Sequence, residues 1–233
     1  MIQNFNKFPY PELRQDTFKN KRLYLTPEGN HVPSVTTILS KTKDTTGLDK
    51  WAKSIGIKKA NKIRDEAAFV GTSMHTFLEE NITGVVREAF TPSPLHTQAK
   101  QMANVIVEEG LKFIDEVWGA EVRLYHSNIY AGTTDVVGSY KGVPHIIDFK
   151  QTNKPKKEEW VQDYYLQLCA YAHAHNDMFG TDFKNGVVLM CSRDLQFQKF
   201  ELNEIQFEKY SYMWWNRVEQ YKELAQSDSK VAN

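Results

Sequence analysis

The chain has 233 residues, 41% of them hydrophobic and 12% aromatic, which is enough apolar mass for the core of one domain with a helical appendage and excludes a disordered or fibrous protein. Its 29 Lys and Arg balance 29 Asp and Glu, which excludes a polycation that holds nucleic acid by net charge alone. The charges are uneven, however: residues 1–70 hold 13 basic against 7 acidic side chains and residues 71–135 hold 4 against 9, so a basic face and an acidic site can coexist.

No run approaches the ~20 consecutive apolar residues that span a bilayer, and the opening MIQNFNKFPYPELRQD lacks the basic-then-apolar order of a signal peptide. A soluble cytoplasmic protein of bacterial or phage origin is expected, with no membrane partner. Cys169 falls in a helical pattern and Cys191 in a strand pattern. Both read as buried small apolar residues, and two cysteines are too few for an iron–sulfur cluster.

In chain order, Arg22–Leu25 reads as an extended segment, Pro27–Asn30 as a turn, and Ser34 as the N-cap of a short helix after Pro33. A basic helix over about Leu48–Arg64 carries Lys50, Lys53, Lys58, Lys59, Lys62 and Arg64, with Trp51 near its start. Gly71-Thr72-Ser73 is expected to open a further helix over 71–82, which sets a division into an N-terminal extended and helical region, 1–70, and a core, 71–233. The spacing of Leu95, Ala99, Met102, Ile106, Phe113 and Val117 predicts a long helix over 95–118 that Gly119 ends. Strands follow over 121–128, 129–140 and 143–151, then a helix over 157–178, then strands over 187–191 and 196–202. Asn203 caps a C-terminal helix that turns Phe207, Tyr210, Trp214 and Tyr221 inward. This order predicts an α/β fold with a mixed central sheet flanked by helices.

The chemistry concentrates in the hairpin Tyr130–Lys150. If Lys141-Gly142 is a two-residue turn, with glycine taking a positive φ, counting outward makes Asp135 and Asp148 cross-strand partners. Their Cβ atoms would lie about 5 Å apart, an unfavourable placement for like charges unless a cation sits between them. Hard carboxylate oxygens suit one or two Mg²⁺ or Mn²⁺ ions. Lys150, two residues beyond Asp148, shares its face, where an ammonium can orient a water or neutralise charge on a phosphate. His75 and Glu79 are four apart on a predicted helix and face the same way, as do Gln167 and Tyr171, with Tyr164 three residues earlier. A core-facing aromatic stripe is the alternative for the latter three.

Five elements in order, Pro33–Leu39, Gly71–His75 with Glu79, Tyr130–Asp135, Ile147–Lys150 and Gln167–Tyr171, resemble the PD-(D/E)XK nuclease superfamily and its RecB-like branch, nearest the mitochondrial genome maintenance exonucleases and related phage exonucleases. The resemblance implies a restriction-endonuclease-like core. It implies metal binding by His75, Asp135, Asp148 and the Phe149 carbonyl, with Glu79 a further candidate, and a catalytic lysine at Lys150. Gln167 and Tyr171 match a motif that lines the site and contacts DNA. The implied substrate is DNA, with single-stranded ends favoured. A flap or structure-specific endonuclease is the alternative on the same fold, and a non-catalytic DNA-binding module the alternative outside enzymes. The first acid follows Thr134 rather than proline, and the cysteine cluster of some RecB-like nucleases is absent. Lys53, Lys58, Lys59, Lys62 and Lys154 are the candidate phosphate contacts, and Trp51 could stack on a base.

Overall fold

In the computed structural model, which describes residues 1–18, 21–86 and 93–231, the N-terminal turn signals organise a small antiparallel sheet. Its strands are β2 (Arg14–Phe18), β3 (Lys21–Leu25) and β4 (His31–Pro33), preceded by the two-residue β1 (Ile2–Gln3). Ser34 then caps α1 (Val35–Thr42), its hydroxyl accepting from the Thr37 amide at 3.0 Å.

The next stretch departs from expectation at two glycines. The basic segment is two helices, α2 (Thr46–Ile55) and α3 (Ile57–Thr83), because Gly56 takes a φ of +88° that breaks the hydrogen-bond ladder. Gly71 opens nothing: it lies inside α3, so the expected boundary at 70/71 falls within one continuous helix. A third glycine corrects the following helix. α4 (Pro94–Glu109) ends at Gly110, and a single 3-10 turn over Leu111–Phe113 leads into β5 (Ile114–His126). Val117 is therefore a buried strand residue, not part of a helical stripe.

The later elements follow the sequence closely. They are β6 (Tyr130–Tyr140), β7 (Val143–Thr152), α5 (Gln162–Phe179), β8 (Gly186–Ser192), β9 (Phe197–Leu202) and α6 (Glu204–Val231). Lys141 and Gly142 take φ of +51° and +77°, the conformation a tight hairpin turn demands. At the start of α6, Asn203 Oδ1 accepts from the Gln206 amide at 2.9 Å while Gln206 Oε1 accepts from the Asn203 amide at 3.2 Å, a reciprocal cap.

The central sheet runs β1-β5-β6-β7-β8-β9, with β1/β5 and β7/β8 parallel and the remaining neighbours antiparallel. It is the mixed sheet the sequence predicts. Val137, Ile146, Val188 and Met190 pack against α1, α5 and α6 on one side, where Trp214 is fully buried edge-on to Tyr130. Val136, Ile147, Val187 and Leu189 pack against α3 and α4 on the other. Burying each such aliphatic side chain is worth about 1.5–3 kcal/mol, so the paired hairpin strands are held from both sides. Cys169 and Cys191 are buried free thiols in these layers, as expected. Among the described residues no helix is long and apolar enough to cross a membrane.

Candidate active site

The β6–β7 ladder keeps the register dictated by its turn, from Tyr140 opposite Val143 to Val136 opposite Ile147, and stops one rung short of the two acids. Beyond that rung the Phe149 amide donates to Oδ2 of Asp135 at 2.6 Å. A side-chain carboxylate has replaced a backbone carbonyl as its partner. β6 also slips in phase here: Tyr130 and Val137 enter the same core cluster although seven residues apart, which strict alternation forbids. The opening admits His75 from α3, which donates from Nε2 to the Phe149 carbonyl at 3.0 Å and from Nδ1 to Oδ1 of Asp135 at 3.2 Å.

Lys150 sets its ammonium against Oδ2 of Asp148 and 5.4 Å from the ring centroid of Tyr164. Period-two alternation thus places lysine and acid together, as the sequence predicts. Both acids are buried, Asp148 at 2% exposure and Asp135 at 9%. Burial pushes the Asp148 carboxyl up to about 6 against the pull of Lys150. Burial also acts to raise Asp135, but His75, Lys150 and the Phe149 amide outweigh it and hold that carboxyl below its usual range. Desolvation opposes the His75 imidazolium, yet Asp135 raises it to about 9. Lys150 is likewise disfavoured by burial and held above its usual range by Asp148 and Asp135.

One acid of this cluster escaped the sequence reading. Glu121 on β5 sits across from Asp135, between the paired rungs Ala120–Val136 and Val122–Thr134, and takes a φ of +51°. His75, Glu121 and Asp135 offer ligand atoms that all lie within 4.8 Å of one another, a possible metal site. The signal was present: His126 pairs with Tyr130, and counting inward from that short turn reaches Glu121 opposite Asp135. Glu79, one turn beyond His75, lines a cavity of about 370 Å³ together with His75 and Glu121. An imidazole, several carboxylates and a backbone carbonyl form a donor set that fits Mg²⁺ or Mn²⁺.

Gln167 and Tyr171 lie behind this cluster. Both are buried, and Gln167 Nε2 donates to the Tyr171 hydroxyl at 3.2 Å. Gly132 makes room for that tyrosine, since a Cβ there would come within 2.8 Å of its ring. Tyr24, on β3, brings its hydroxyl to 3.2 Å from that of Thr133. The candidate phosphate and stacking residues lie on the surface. Lys53, Lys58, Lys59, Lys62 and Lys154 are exposed, Trp51 is 42% exposed, and α2 has no buried residue.

The chain is 25% identical over 208 residues to mitochondrial genome maintenance exonuclease 1 of Mus musculus, covering 83% of this chain and 60% of the relative. The Homo sapiens protein of the same name is 25% identical over 215 residues, with 83% and 59% covered. The chain therefore spans about 60% of the length of these curated relatives. A solved structure of a candidate exonuclease from Eubacterium rectale overlays with a TM-score of 0.49 at 13% identity, covering 68% of each chain. No family model matches the chain. The weak homology to the two exonucleases supports a nuclease of the PD-(D/E)XK type.

Proposed function

We propose that the chain is a metal-dependent deoxyribonuclease that hydrolyses phosphodiester bonds at the ends of single-stranded DNA. The observation that carries this reading is the convergence of Asp135, Asp148, Lys150 and His75 where the β6–β7 ladder opens. Buried carboxylates so close together are costly unless cations compensate them. One Lys and one His already do so in part.

In this reading His75, Glu121, Asp135, Asp148 and the Phe149 carbonyl hold one or two Mg²⁺ or Mn²⁺ ions, with Glu79 at the margin. A bound divalent cation would activate a water at neutral pH and draw charge from the phosphoryl oxygens. The chain's own groups supply the rest. Asp135 fixes the Phe149 amide, which holds the adjoining carbonyl toward His75. Lys150, shielded by Tyr164, offers a proton donor and a positive charge beside Asp148. Gln167 and Tyr171, buried and hydrogen-bonded to each other, would line the floor of the site. The exposed Trp51 with Lys53, Lys58, Lys59, Lys62 and Lys154 would hold the flanking strand by stacking and phosphate contact.

The test is digestion of end-labelled linear and of circular single-stranded DNA in Mg²⁺, Mn²⁺ and chelator. Loss of the linear strand alone, and only with metal, supports the exonuclease. Cutting of the circle would instead favour an endonuclease, and binding without cutting under every condition a non-catalytic module.

A further inference from the structure

We propose that the cavity beside Glu121 is a nucleotide subsite, which receives the nucleotide next to the bond being cut and holds its phosphate on Arg123. The proposal rests on the nuclease reading above and assigns residues that reading leaves idle. The cavity encloses about 560 Å³ between the segment at Tyr10–Gln15 and the face of β5 and β6 that carries Glu121, Arg123 and Thr133. That volume lies in the range of pockets that take a small organic ligand. Glu121 lines this cavity and also the one that contains His75, so the two spaces meet at its side chain, beside the candidate metal centre.

Arg123 supplies the charge. It lies two residues along β5 from Glu121, roughly 7 Å in an extended strand, a step comparable to that between successive phosphates of an extended single strand. Its Nη1 donates to the Leu13 carbonyl at 2.5 Å, which orients the guanidinium, while the residue as a whole stays exposed. The rest of the planar fork can then meet a phosphate. Gln15 and the Thr133 hydroxyl offer hydrogen bonds of both senses to a sugar or base, and Tyr10 gives an aromatic wall.

Two acids of the lining, Glu12 and Glu121, argue against a free anion as occupant. A nucleotide of a strand already held at the adjacent centre meets that repulsion at high effective concentration. Free phosphate does not, and it is not expected to bind.

The experiment walks one neutral methylphosphonate along a short single-stranded oligonucleotide and measures its binding to the full chain in Mn²⁺, for Lys150→Ala and for Lys150→Ala with Arg123→Gln. Lys150→Ala keeps the strand intact during the measurement. One substituted position should weaken binding about five- to tenfold in the first protein and scarcely at all in the second. Arg123→Gln should also lower the slope of log affinity against log salt by about 0.7, the contribution of one phosphate on a single strand. Equal sensitivity of both proteins at every position would overturn the subsite. The double variant must keep the circular dichroism spectrum of Lys150→Ala and still bind the unsubstituted strand, so that its loss of position sensitivity is not misfolding; sensitivity that survives in the folded double variant overturns the subsite. Failure of the nuclease reading is seen separately, as a wild-type chain that binds the strand and never cuts it.

Discussion

The Phe149 amide is bound by the carboxylate of Asp135, 14 residues away, at 2.6 Å, so the acid is both a structural pin and a candidate ligand. Asp135→Asn keeps an oxygen acceptor for that amide, and Asp148→Asn removes a buried charge that is disfavoured to begin with. Both variants should fold, as judged by circular dichroism. Each should lower metal-dependent digestion of single-stranded DNA by at least about 100- to 1000-fold, the scale of losing one preorganised electrostatic group. Undiminished digestion in either would sink the active-site assignment.

Lys150 separates chemistry from metal binding. With Lys150→Ala, Asp148 keeps its burial and loses its ammonium. The acid cluster then depends more on an added cation. Turnover should disappear while the rise in melting temperature caused by Mn²⁺ grows beyond that of the wild type. A variant that neither cuts DNA nor responds to Mn²⁺ would make the lysine a mere structural support.

Glu121 holds a left-handed backbone conformation that costs a non-glycine residue about 1–2 kcal/mol. Such strain persists where surrounding structure imposes it, and here it directs a carboxylate at His75 and Asp135. Glu121→Gln keeps the side-chain length and loses the charge. Isothermal titration should show Mn²⁺ binding weakened by about 10- to 100-fold. Unchanged affinity would remove Glu121 from the ligand set.

The contrast between Glu121 and the hairpin acids shows what the sequence makes legible. Lys141-Gly142 is a turn of known length, so the register up to Val136 and Ile147 follows by counting and leaves Asp135 and Asp148 just beyond the last pair, while the place of Lys150 beside Asp148 follows by alternation. Glu121 is equally countable from the turn after His126, but the sequence pattern starts the strand at that very residue. The cause lies further upstream. Phe113 and Val117 fit a helical stripe as well as a strand, and two register shifts between Ile114 and Gly119 erase the alternation that would have marked β5. Nor does composition tell a helix-breaking glycine from a tolerated one. Gly56 breaks a helix at φ +88°, whereas Gly71 sits inside one, where an added Cβ would meet the Gln151 side chain at an ordinary van der Waals distance. Gly132 is different again, since its reason, the ring of Tyr171, comes from a helix 39 positions on and is visible only in three dimensions.

Gly132 yields a prediction of its own. A methyl group there would meet Cε1 of Tyr171 at 2.8 Å and its hydroxyl at 3.2 Å. Gly132→Ala should therefore destabilise the fold by about 1–3 kcal/mol through overpacking and displace the Tyr171 ring. Chemical denaturation checks the first effect. In a Tyr171→Leu background the added cost of Gly132→Ala should shrink, because the two changes share one contact. Strict additivity would show that the glycine serves something other than the ring.

His175 links stability to pH without involving the site. It is fully buried, with Nε2 3.2 Å from the Tyr10 hydroxyl and Nδ1 2.8 Å from that of Thr181. Burial lowers its pKa to about 4. Above the unfolded value of about 6.5 both states are neutral and the residue adds no pH dependence. As pH falls from about 6.5 toward 4 the unfolded chain takes up a proton that the folded chain refuses, so stability is lost across that window. The loss is at most about 1.4 kcal/mol per pH unit, or about 2 kcal/mol at pH 5. Urea denaturation at pH 7 and pH 5, compared between wild type and His175→Gln, isolates this effect from the titrating carboxylates. The wild type should lose about 2 kcal/mol more than the variant between the two values. His173, also lowered to about 4 by burial, remains in both proteins and cancels in the comparison. If both proteins lose equal stability between pH 7 and pH 5, His175 accepts its proton as readily folded as unfolded, and the segment bearing Tyr10 is not held by a neutral imidazole.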